Sequence, residues 1–265
     1  MTLRRRSHVT PGRLWILRGT FFLLAFAGSV ATPVRAADFS VSPMVVEFER
    51  GVRSSEIQVR NLDQQPIRFQ VRGTDWSQDE TGKNIYADSK SLIWFPRALE
   101  LAPGESRIIR VGVRATPSTK EEAYVLFLQE VALDSEDAQK ARGAQVRLLL
   151  SISVPIYVPP VDPKPGGEIE SFELRHGTLD VVVGNAGNKH FSYREATVVG
   201  ASRDGKEKLR QVVRGRTLLS GSRQRFEIVI PPAICGELKE LSVGLTTLEP
   251  SDIKRRLDVV QADCE

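Results

Sequence analysis

The sequence predicts an all-β chain: two immunoglobulin-like β-sandwich domains joined by a Pro/Gly-rich linker. Three observations predict it. Apolar residues recur at every second position in many short runs, the period of a half-buried strand. Clusters of Gly, Pro, Asn and Asp separate those runs at turn spacing. No long stretch carries the 3.6-residue period of an amphipathic helix, which argues against a βαβ organisation.

The chain has 265 residues. Residues 1–36 read as a secretory signal peptide: Arg4, Arg5 and Arg6 start it, residues 19–30 are its apolar core, and Val34-Arg35-Ala36 is a small-residue cleavage pattern. The apolar run is shorter than the roughly 20 residues of a transmembrane span. The expectation is export, cleavage near Ala36 and residence in the periplasm. The chain carries 37 basic and 33 acidic residues, a net +4. Six arginines precede Asp38, so 37 − 6 leaves 31 basic against 33 acidic residues, a net −2. The basic balance belongs to the leader, and the rest has no charge that draws it to nucleic acid.

Residues 38–160 read as the first domain, with seven strands. The first, 38–48, is interrupted by Pro43, which suits an edge. Residues 55–62 alternate through Ile57, Val59 and Leu62, and 67–76 through Ile67, Phe69 and Val71. Short strands follow at 92–95 and 107–113, with turns at 79–82 and 101–104. The apolar run 123–128 reads as a fully buried strand, and the charged segment 134–143 as a mobile loop. The seventh strand, 145–160, is the longest. Val146, Leu148, Leu150, Ile152, Val154 and Ile156 share one face, with Arg147, Ser151 and Ser153 on the other. Pro155 cannot donate to a central ladder, so an edge or a bulge is expected there. A long apolar row at an edge invites pairing, so either the protein covers it or another chain uses it.

Residues 161–167 form the linker, stiff at its prolines and flexible at Gly166-Gly167. Residues 168–265 read as a second β-sandwich. Its strands lie within 172–183 (with a turn at His176-Gly177), 193–199, 225–230, 238–248 and 252–260, and Asp204-Gly205 is a hairpin signal.

Chemistry is sparse. Beyond the leader the histidines are His176 and His190, and no H-E-x-x-H, G-x-S-x-G, phosphate-loop or dinucleotide-binding motif occurs. His190, beside Lys189 in a turn, reads as a surface residue. Trp76 and Trp94 read as core residues. Cys235 and Cys264 lack neighbours at metal spacing. The reading is no enzyme, no cofactor and no metal. In an exported protein the two cysteines are candidates for one disulfide, with two separate thiols as the alternative.

Several short matches occur in a fixed order. They are Val41-Ser42-Pro43, then Val59-Arg60-Asn61 before a turn with Pro66, then residues 69–76. Pro96, Leu101-x-Pro103-Gly104, Ile109-Arg110-Val111 and Ile156-Tyr157-Val158-Pro159 follow. In this the first half resembles the PapD-like periplasmic chaperones of the chaperone–usher pilus pathway. The resemblance implies a chaperone that holds pilus or fimbrial subunits by donor-strand complementation and passes them to an outer-membrane usher. The lent row would be Val146, Leu148, Leu150 and Ile152. Arg110 would sit in a buried charge cluster between the domains, with Glu121, or Glu122 if the register slips by one, as its acidic partner. The family's two basic residues for a subunit's terminal carboxylate fall on Val45 and on Val154 or Ser153, none of them basic. Arg72, Arg97, Arg107 and Arg147 are possible substitutes that the sequence does not rank. The alternative is an exported structural or adhesive sandwich protein, self-associating or pairing with a partner through its long edge strand.

Overall fold

The computed structural model describes residues 38–79, 81–114, 118–131, 149–248 and 252–264. The first ten strands are β1 (Phe39–Ser42), β2 (Val46–Glu47), β3 (Ser54–Asn61), β4 (Ile67–Gln78), β5 (Asn84–Asp88), β6 (Leu92–Phe95), β7 (Ala98–Leu101), β8 (Ser106–Val113), β9 (Glu122–Val131) and β10 (Ser151–Val158). They form two sheets. One runs β1-β3-β8-β6; the other runs β2-β10-β9-β4-β5, with β7 also on β4. Each strand points alternate apolar residues at the facing sheet, and Ile57, Phe69, Leu101, Ile109, Leu126, Leu128 and Ile156 are fully buried between them. The stretch expected as one strand over 38–48 is split. Pro43 cannot continue a ladder, and the chain crosses there from the first sheet to the second.

The remaining strands are β11 (Gly167–Arg175), β12 (Thr178–Asn185), β13 (Phe191–Ser202), β14 (Glu207–Arg214), β15 (Thr217–Leu218), β16 (Arg223–Val229), β17 (Leu238–Thr247) and β18 (Lys254–Asp258). They build a sheet β11-β12-β16 and a sheet β14-β13-β17-β18, with β15 on β13. A second core lies between them, around Leu179, Val181, Val198, Leu218 and Leu241. A one-turn helix α1 (Pro232–Cys235) follows β16, and a 3-10 turn, Gln261–Cys264, follows β18. Cys235 and Cys264 are joined by a disulfide with Cα atoms 5.8 Å apart. Each sandwich also buries one asparagine at a strand end. Asn61 donates to the Leu101 carbonyl and accepts from the Asp63 N–H. Asn185 donates to the Leu218 carbonyl and accepts from the Gly187 N–H. Both meet the requirement that a buried amide be hydrogen-bonded.

The linker is held rather than loose. Val161 N–H donates to the Ser118 carbonyl, Lys164 N–H to the Asn188 side chain, and Ala186 N–H to the Gly166 carbonyl. Arg50 also donates to the Val161 carbonyl.

The expected pairing of Arg110 with Glu121 is not formed. Arg110 lies between the buried Ile109 and Val111, so strand alternation turns it to solvent, where its side chain is 77% exposed. It meets Glu56, opposite it on β3, at 3.1 Å. Glu121 instead joins the domains through His190. Its Oε2 accepts from the His190 N–H (2.7 Å) and lies 2.9 Å from Nδ1.

Candidate partner-binding edge

Strand β10 pairs with β9 along its whole length, from Ser151 opposite Gln129 to Val158 opposite Glu122. Among the described residues its other side is partnered at Ile156 and Tyr157, by the two residues of β2. A strand residue sends its N–H and C=O to the same side, and neighbours alternate. The direction is fixed at both ends. Glu130 N–H donates to the Leu150 carbonyl, so even-numbered residues face β9. Phe48 N–H donates to the Tyr157 carbonyl, so odd-numbered residues face outward. Ser151 and Ser153 therefore present unpaired main-chain groups among the described residues, and β2 takes over from the Pro155 carbonyl onward. Pro155 sits at an outward position, so its missing N–H removes nothing from the β9 ladder.

Side chains divide the other way. Val154 and Ile156 are fully buried in the sandwich's own core, each burial contributing about 1.5 to 3 kcal/mol. Ile152 is half-buried against that core, and Leu150 is half-buried one step further out. One apolar row thus starts inside this protein and emerges from it. The expected donor residues Val146 and Leu148 lie outside the described residues. At the point of emergence the ladder gives way to a side chain. Leu150 N–H donates to Glu130 Oε2 at 3.2 Å, and Glu130 is itself buried at the sandwich end.

The two positions compared for a missing basic residue differ in surroundings. Val154 is sealed, where a charge would be costly, whereas Ser153 is exposed beside the open edge. Val45 is 46% exposed.

Below the open edge, the outer face of the same sheet receives the second domain. His190 stacks on Tyr157 with ring centroids 3.8 Å apart, and its Nε2 lies 3.8 Å from Glu47 Oε1. Burial, with the Glu121 charge behind it, pushes the Tyr157 hydroxyl pKa well up, so it stays neutral at ordinary pH. Asn188 donates to the Thr119 and Asp162 carbonyls. The β4–β5 hairpin makes a further contact: Gln78 binds the Thr217 carbonyl and Leu219 N–H, and Arg216 donates to the Gly82 carbonyl. His190, expected at the surface, is a joint residue with a side chain only 15% exposed. Its partner lies 69 residues away, and no local pattern announces it.

Among the described residues no cluster of His, Cys, Asp or Glu could hold a metal. What the arrangement offers is an unpaired strand margin on a protein with a fixed joint between two sandwiches.

That geometry is the fold of two immunoglobulin-like domains in series. Residues 38–163 match the family model of the pili and flagellar-assembly chaperone, PapD N-terminal domain. The match spans the first sandwich and the start of the linker. No curated protein matches the chain. Among solved structures it is similar to the CsuC–CsuE chaperone–tip adhesion subunit pre-assembly complex of archaic Csu pili from Acinetobacter baumannii. The identity there is 18%, covering 72% of this chain and 91% of that one, at a TM-score of 0.53. It is also similar to the Salmonella enterica SafA pilin–SafB chaperone complex (13%, 85% and 99%, 0.52). A third is the YadV chaperone (12%, 83% and 99%, 0.54). Likeness at these identities concerns the fold.

Proposed function

We propose that this protein is an exported, non-enzymatic chaperone that works in the periplasm. It holds pilus or fimbrial subunits by lending them the apolar row Val146, Leu148, Leu150 and Ile152, and passes them to an outer-membrane usher. The observation that carries this is the single apolar row that leaves the protein's own core at Ile152 and Leu150, beside an unpaired main-chain margin. A subunit lacking a strand would gain main-chain hydrogen bonds from the margin and apolar side chains from the row. The family match over 38–163 and the neighbours' subunit complexes support the same reading.

The test is co-expression with a subunit encoded beside this chain's gene, followed by co-purification. The subunit is expected to stay soluble with the wild type and to aggregate with Leu150→Arg, which places a charge in an apolar groove. Val212→Arg, on an exposed position of β14, is the control. Thermal unfolding of each free variant separates loss of lending from loss of folding. Equal solubility with folded Leu150→Arg protein would overturn the proposal.

A further inference from the structure

The outer face of the second sheet carries a depression of about 390 Å3 around Gln70, Arg72, Trp94, Arg97 and Gln129. It lies in a gap along β4, between the residues that pair with β7 and those that pair with β5. Trp94 plugs that gap. Its Nε1 donates to the Val71 carbonyl at 3.1 Å, and Val71 N–H donates to the Arg97 carbonyl at 2.8 Å. Gly73 makes the fit possible, since a Cβ there would stand 2.6 Å from the indole. Arg97 lies flat on this platform, its guanidinium carbon 3.7 Å from the ring centroid. Among the described residues no acidic side chain pairs with it.

Arg72 projects from the same face of β4. Its ion pair is with Asp88 at 3.7 Å, and that carboxylate is 96% exposed, so the contact is weak. Gln70 and Gln129 stand opposite each other on β4 and β9. Two guanidinium forks and two carboxamides thus meet with one solvated carboxylate at the rim. Donors outnumber acceptors, and planar forks match a planar anion.

We propose that this depression is a carboxylate-binding site, with Arg72 and Arg97 as the forks and Gln70 and Gln129 as flanking donors. Whose carboxylate it takes rests on the chaperone reading. Ser151, Gln129 and Gln70 lie in one row across β10, β9 and β4, so the site is two strands, about 10 Å, in from the open edge. A polypeptide docked on that edge can place a chain terminus or an acidic side chain there.

Nuclear magnetic resonance of the isotope-labelled protein tests this without any subunit. The probes are N-acetylglycine, which mimics a chain terminus, and N-acetylglutamate α-amide, which mimics an acidic side chain. Neutral N-acetylglutamine amide at the same ionic strength is the control. The carboxylates are expected to shift the Arg97 Nε–H and Trp94 Nε1–H signals saturably, and the control is not. Arg97→Gln or Arg72→Gln should weaken binding about tenfold, the order of one charge-assisted hydrogen bond. Asp88→Asn should tighten it. Preference for the first probe identifies a terminus, for the second an acidic side chain, and no preference any carboxylate; all three support the site. Shifts no larger than the control's would overturn it, as would unchanged binding in arginine variants whose other signals stay in place. Because no subunit takes part, failure here leaves the chaperone proposal standing, and failure of that proposal leaves the site standing.

Discussion

Replacing Glu121 with alanine should loosen the joint between the two sandwiches. The Glu121 side chain is 7% exposed, and one of its oxygens serves both the backbone N–H and the ring Nδ1 of His190. A carboxylate only accepts, so Nδ1 carries a proton toward it. Alanine at this position leaves two donors without their acceptor in a site largely closed to water. Each charge-assisted bond of this kind contributes about 1.5 to 3 kcal/mol, and two on one residue are not additive, so the loss is about 2 to 4 kcal/mol. For a protein of this size one kcal/mol moves the melting midpoint by roughly 2 to 4 °C, which gives a fall of roughly 5 to 15 °C. Glu121→Gln keeps an acceptor and should cost less than half as much. Scanning calorimetry measures the midpoint, and X-ray solution scattering reports whether the domains have moved apart. A midpoint within about 1 °C of wild type for Glu121→Ala, with unchanged scattering, would refute the assignment of the joint to this contact.

Further outcomes follow from other sites. Gly82 has φ +77°, and a Cβ there would stand 2.1 Å from the Arg223 carbonyl, so Gly82→Ala should cost about 1 to 3 kcal/mol in thermal unfolding. Cys264→Ser opens a loop with a sequence separation of 29 and should lower stability by about 3 to 4 kcal/mol in urea titration, an effect that reductant reproduces in the wild type. Asp204 is held at a pKa of about 2, first by the Lys206 ammonium at 2.7 Å and then by the Ser202 hydroxyl. A lowered carboxylate pKa stabilises the fold above its ordinary value of 3.8 and loses that contribution as pH falls toward 2. Asp204→Asn should therefore flatten the acid limb of the stability profile between those values and leave the neutral plateau's shape unchanged.

Much of the fold was legible because its core strands alternate. Ile57 and Val59, Phe69 and Val71, and Val154 and Ile156 are where the period of two places them, facing their own cores. Strands without that pattern were not legible. All five residues of β5 are exposed, and β14 buries only Leu209, so neither shows an apolar face to count. The edge at Pro155 was readable because proline's missing donor is a local property. The joint was not: Glu121 and His190 look like ordinary loop residues until the chain brings them together. The gap in β4 that seats Trp94 and Arg97 was hidden for the same reason, since it depends on where β5 and β7 stop.

The short strand β2 has a consequence for anything that aligns with β10. It occupies the margin from the Pro155 carbonyl to Tyr157, so a guest strand sliding along from Ser151 meets a closed end after Ser153. The berth is therefore blind at that end. A visitor is seated by where it stops as well as by what it touches.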